Sequence, residues 1–137
     1  MTQEQKILLL KDLCARLPYG VKCIYYDNCV YEQYDGTITG IQNDTYFVID
    51  GVCIDVENVK PYLFPISSIT KEQRNEFPFE LSLLNAFING HISLFEDEEL
   101  SVDDIIRMMD CLNRNHIDYR GLIPLGLAID CTNLKIY

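Results

Sequence analysis

One stretch constrains the fold of this chain more than any other. Between Val21 and Leu63, strand-forming residues are interrupted by turn signals every few positions. Val21-Lys22-Cys23-Ile24-Tyr25-Tyr26 reads as a strand, and Asp27-Asn28 as a turn. Extended structure resumes from Cys29 to Tyr34 and again from Thr37 to Gln42. Asp35-Gly36 between them fits a tight turn or a bulge within one long strand. Asn43-Asp44-Thr45 turns the chain, and Tyr46-Phe47-Val48-Ile49 is a compact apolar strand. Asp50-Gly51 is a strong hairpin signal, answered by Val52-Cys53-Ile54. A short helical turn fits Asp55 to Asn58. Val59 to Leu63 then makes the last strand, and Pro61 assigns it to an edge or a bulge, because proline donates no ladder hydrogen bond.

Five short strands and a late helical turn predict a small five-stranded antiparallel SH3-like barrel. A curled or open antiparallel sheet packed against helices is the competing arrangement. Helices flank this part. Thr2 and Gln5 have capping-box spacing before a helix that ends at Pro18. Its expected core face is Ile7, Leu10, Cys14 and Leu17, widened by Leu9 and Leu13. Thr70 and Gln73 repeat the cap. Pro78 suggests a restart, with a stripe of Leu81, Leu84, Phe87 and Ile88 ended by Gly90. Ile92 to Phe95 fits a short strand, and Glu96 to Glu99 a solvated acidic loop. Ser101 caps a helix whose expected face is Val102, Ile105, Met109 and Leu112, with Ile106 in support. Asp103 and Asp104 suit the positive end of its dipole. The whole reads as one α+β domain over residues 1–137: an N-terminal helix (1–20), a β-rich barrel-like part (21–65) and a mainly helical part with C-terminal helices (66–137).

The balance of 21 acidic against 11 basic residues, net charge −10, excludes several functions. Gripping a phosphate backbone takes clustered Lys and Arg, and here the basic residues are scattered. Direct nucleic-acid binding and attachment to anionic membrane are not expected. A basic protein partner suits the negative field. The N-terminal residues Met1 to Lys6 are polar and mixed in charge, no secretory leader is expected, and no apolar run approaches a membrane span. The expected compartment is the cytoplasm, where the six cysteines stay reduced. Cys14 and Cys53 read as small buried hydrophobes.

No motif for chemistry emerges. Cys23 and Cys29 are too widely spaced for a zinc pair, and Cys111 with His116 mixes ligand types across a helix end. No metal ligand, cofactor or catalytic residue is expected, and the phosphate-loop glycine patterns are absent. A thiol nucleophile built from Cys111 and His116 would need the two within hydrogen-bond reach. The tyrosines stand out. Tyr25, Tyr31, Tyr34 and Tyr46 are candidates for a binding face, since Tyr is enriched at interfaces, although Tyr also suits a plain sheet surface. Arg120, in Asp118-Tyr119-Arg120-Gly121, is either an anion anchor or half of an ion pair that holds its own turn.

Three stretches carry a resemblance: Leu8-Leu9-Leu10-Lys11-Asp12-Leu13-Cys14-Ala15-Arg16-Leu17-Pro18-Tyr19-Gly20-Val21, Val59-Lys60-Pro61-Tyr62-Leu63-Phe64-Pro65-Ile66-Ser67-Ser68-Ile69-Thr70 and Leu112-Asn113-Arg114-Asn115-His116-Ile117-Asp118-Tyr119-Arg120-Gly121-Leu122-Ile123. Through them the chain resembles a group of small proteins of unassigned role from gut Bacteroides-type bacteria, often encoded in prophages or other mobile elements. The resemblance implies no activity or site residue. The leading expectation is a non-enzymatic protein-interaction module of such an element. The alternatives are an acidic decoy for a nucleic-acid-binding enzyme, and an enzyme whose Cys/His site is assembled from distant residues.

Overall fold

The computed structural model describes residues 1–76 and 102–137. The expectations for Pro78 to Ser101 lie outside the described residues. In chain order the elements are α1 (Gln3–Arg16), β1 (Lys22–Asp27), β2 (Glu32–Gln42), β3 (Tyr46–Ile49), β4 (Val52–Asp55), β5 (Val59–Leu63), α2 (Lys71–Glu76), α3 (Val102–Arg114) and β6 (Ile129–Asp130). Both capping boxes form. The Gln5 and Gln73 amides donate to the Thr2 and Thr70 hydroxyls, and each glutamine accepts from the backbone N–H of its threonine.

The sheet has six strands in the order β4-β3-β2-β1-β5-β6, with no ladder closing it into a barrel among the described residues. The expected five strands gain a sixth, which pairs in parallel with Tyr62 and Leu63. All other pairs are antiparallel. Pro61 is therefore not on an outer strand. It is tolerated because it opposes Cys23 on one side, while the pairing with β6 begins one residue later.

Asp35-Gly36 is no turn. Both residues lie within the eleven-residue β2, and the bulge falls between Ile38 and Gly40. There the strand bends and the β3–β4 hairpin folds back over β1. A Cβ at Gly36 would meet Ile49 Cγ2 at 2.5 Å, Asp50 Oδ2 at 2.8 Å and Tyr25 Cε1 at 3.1 Å, so glycine makes this closure possible. The Asp50-Gly51 turn forms as expected, with both residues at positive φ (48° and 85°).

The main core packs Leu9 and Leu13 of α1 against Val21, Cys23, Ile38, Phe47, Ile49, Val59, Leu63 and Leu122. A second cluster joins Ile69 to Met108, Cys111, Leu112, Ile117 and Tyr119. Both helix faces differ from expectation. On α1 the buried side is Leu9, Asp12, Leu13 and Arg16, leaving Ile7 and Cys14 exposed. An ion pair occupies positions where an apolar stripe would ordinarily run. On α3 the buried residues are Met108, Cys111, Leu112 and Asn113, while Val102 is 72% exposed and Ile106 also faces outward. Of the expected face, Leu112 lies in the second cluster and Met109 packs against it. Cys53 is exposed too, and its thiol donates to Gln42 Oε1 at 2.9 Å. All six cysteines are free. Among the described residues, no helix is long and apolar enough to cross a membrane.

Candidate functional site

The β1–β2 hairpin gathers most of the expected tyrosines. Antiparallel register sets Tyr25 opposite Tyr34 and Asp27 opposite Glu32. Residues two apart on a strand share a face. The register therefore puts two aromatic rings and two carboxylates on one side. The ring centroids of Tyr25 and Tyr34 are 5.8 Å apart. The Tyr34 hydroxyl donates to Glu32 Oε2 at 2.6 Å, and this bond is the main reason its phenol pKa is raised. Tyr25 is raised as well, first by burial and then by the Asp50 and Asp27 carboxylates. Asp50 thus joins the same electrostatic environment from the folded-over β3–β4 hairpin. None of Asp27, Glu32 and Asp50 is ion-paired among the described residues.

Tyr31 closes the hairpin turn. Its side chain is 79% exposed, and its backbone is left-handed, with φ 59°. A bulky residue in that region is strained. The Tyr31 amide donates to the Asp27 carbonyl at 2.8 Å, and the Asp27 side chain accepts from the Cys29 amide at 2.8 Å, which together hold the turn. On the reverse face, Ile24, Tyr26 and Lys60 line a groove of about 390 Å³ beside Glu57, which is paired with Lys6.

Two expected residues lie elsewhere. Tyr46 begins β3 and pairs with Gln42, at the far end of β2 from the hairpin, roughly 30 Å away along the strand. Arg120 sits beneath α1. Its Nε is 3.5 Å from Asp12 Oδ1, so it does pair with a carboxylate. It does not hold its own turn, however. Asp118 does that, accepting from the Leu122 and Ile123 amides at 2.8 Å each.

Inspection of single residues missed the polar cluster around Arg120. Arg16, fully buried, donates to both oxygens of the fully buried Asp12 (2.7 and 2.9 Å) and to the Ile117 carbonyl at 2.7 Å. Both Arg16 and Arg120 approach the Tyr119 ring, with guanidinium carbons 5.1 and 5.2 Å from its centroid. The spacing of Asp12 and Arg16, four apart within a helical apolar stripe, was the available signal.

Cys111 and His116 do not form a dyad. The Cys111 thiol donates to Glu76 Oε2 at 3.3 Å and accepts from Asn115 at 3.4 Å. Burial foremost, then Glu76, pushes its pKa up to about 11. The His116 ring instead stacks on Tyr137 with centroids 3.9 Å apart. Burial, then the charges of Arg16 and Lys22, brings its pKa down to about 4. A thiolate–imidazole pair needs the opposite shifts. Among the described residues, no three His, Cys, Asp or Glu side chains converge as a metal site.

No protein-family model, curated protein or solved structure matches this chain.

Proposed function

We propose that the protein is a non-enzymatic interaction module whose β1–β2 hairpin receives an extended basic segment of a partner protein. The observation that carries this reading is the shared face of Tyr25, Tyr34, Asp27 and Glu32. An aromatic pair flanked by carboxylates that hold no cation is a receptor for Lys or Arg. The rings attract the cation through their faces, and the carboxylates complete the charge-assisted hydrogen bonds. Directly opposed like charges are unfavourable in a hairpin, and a bound cation would offset that repulsion. The chain's net charge of −10 draws basic partners from a distance.

Two further features support the reading. The sheet runs β5-β1-β2-β3-β4 before β6 is added, and a short helical turn, Val56–Asn58, links β4 to β5. That order suits a small SH3-like body, a scaffold that presents aromatic residues to extended peptides. The six free thiols suit a reducing, cytoplasmic setting. By resemblance, we read the module as a component of a prophage or other mobile element.

The test is an array of short peptides graded from acidic to basic, followed by amide-shift mapping of the hits. Basic peptides should bind, with affinity falling as salt rises, and should shift Tyr25 to Tyr34. Tyr34→Leu should weaken them by about threefold. Preference for neutral or acidic peptides at this hairpin, or salt-independent binding there, overturns the reading.

A further inference from the structure

Helix α1 has a second apolar side. Leu9 and Leu13 face the core, while Ile7 and Cys14, with the partly buried Leu10 that also packs against the core, line a groove of about 500 Å³ between the helix and the β2–β3 turn at Asp44. Ile7 is 43% exposed and Cys14 is exposed. The spacing of Ile7, Leu10 and Cys14 is that of a helix surface built to pack against another apolar element.

The groove is also cationic. Lys11 and Arg120 line it, against the single carboxylate of Asp44. Lys11 has no ion pair among the described residues. Arg120 shares Asp12 with Arg16, which already takes a hydrogen bond to each oxygen of that carboxylate. One carboxylate therefore serves two guanidiniums. The buried Arg120 Nε has no hydrogen-bond acceptor. This local excess of positive charge lies in a protein of net charge −10.

We propose that this groove docks an amphipathic segment of a partner protein that presents one carboxylate among apolar side chains. The apolar floor supplies burial. Arg120 and Lys11 supply the counter-charges, and a carboxylate can meet a guanidinium with two parallel hydrogen bonds. The floor spans two turns of α1, roughly 10 Å, which matches the contact length of a short helical or extended segment rather than an enclosed small molecule. The acidic remainder of the surface repels the same segment, so the positive groove selects where it lands. This proposal is separate from the hairpin reading, whose partner carries the opposite charge.

The experiment is selection of a displayed library of short random peptides on the intact protein, with backbone-amide shift mapping of the winners. Enriched peptides should carry Asp or Glu between apolar residues and shift Ile7, Lys11, Cys14 and Asp44. Lys11→Glu and Arg120→Gln should each weaken them about tenfold. Lys11 is exposed, so its loss of binding cannot be confused with unfolding. Replacing the peptide carboxylate with lysine should restore binding to Lys11→Glu. Three outcomes overturn the proposal. One is a selection that yields no peptide at this groove, including one that yields only basic peptides at the hairpin, which would leave the earlier reading standing. Another is peptide binding indifferent to Lys11→Glu. The third is decanoate displacing the peptides with equal or higher affinity, which would assign the groove to a free fatty acid.

Discussion

Asp12 and Arg16 lie one helical turn apart and bury their ion pair completely, with Arg16 Nε 2.7 Å from Asp12 Oδ2 and neither side chain exposed. The pair ties α1 to the C-terminal part of the chain, because Arg16 also bonds the Ile117 carbonyl at 2.7 Å. A second guanidinium, on Arg120, leans on the same carboxylate.

Removing one partner should therefore cost far more than removing both. Asp12→Asn leaves Arg16 charged and buried, and should lower unfolding free energy by about 3–5 kcal/mol. The double variant Asp12→Leu/Arg16→Met replaces the pair with apolar volume and should recover most of that loss. Arg120, about one-third exposed, can turn its charge to water in that variant. Urea midpoints of the three proteins decide the matter. Additive losses in the double variant would show that the pair is not the organising contact.

Gly36 should resist substitution although it lies in a strand. An alanine methyl there would sit 2.5 Å from Ile49 Cγ2 and 2.8 Å from Asp50 Oδ2. Ile49 is fully buried, so it has little room to move aside. We expect Gly36→Ala to cost about 1–3 kcal/mol. Moving Asp50 from Tyr25 should also weaken binding of basic peptides. An alanine variant as stable as the parent would show that the β3–β4 hairpin does not close tightly over β2.

Tyr31 should show a conflict between stability and binding. Asn tolerates the left-handed backbone better than Tyr does. Tyr31→Asn should raise stability by about 1 kcal/mol, measured by thermal or urea unfolding. On the hairpin reading, the same substitution removes an exposed ring and should reduce peptide affinity. Unchanged stability would mean that the turn carries no backbone strain.

His116 should make the fold sensitive to acid. Its folded pKa, about 4, lies below the ordinary value of 6.5. Between those values the unfolded chain binds the proton and the folded chain does not. Stability contributed by the neutral ring is thus full above pH 6.5 and is lost as pH falls toward 4, by up to roughly 3 kcal/mol. Carboxylates titrate in the lower part of that window, so the comparison is with His116→Asn, which keeps a residue suited to the positive φ of 57°. The parent should lose more stability than the variant between pH 7 and pH 4.5. Parallel pH profiles would rule out a buried neutral imidazole.

Much of the local structure was legible in the residues. The threonine–glutamine caps, the Asp50-Gly51 hairpin and the strand content from Val21 to Leu63 all rest on interactions between near neighbours. Turn chemistry and side-chain spacing are enough to specify those. The meeting of Tyr25 with Tyr34 needed one more fact, the hairpin register, which no single strand encodes.

Contacts between distant segments decided the rest. Sequence pattern counted Ile7 and Cys14 on the core face of α1 and gave Asp12 and Arg16 no place there, since charged residues are ordinarily exposed. The fold reversed that assignment by bringing the Ile117 carbonyl and the Tyr119 ring against Arg16, which made burial of its charge tolerable. The two-residue strand Ile129–Asp130 likewise exists because β5 offered it an open edge. By itself the amino-acid order determined where α1 and the strands β1, β3, β4 and β5 form, although Cys29 to Tyr31, expected to extend, belong to the turn before β2. The tertiary structure alone decided which side of each faces inward, because burial of a polar group depends on partners that arrive from far along the chain.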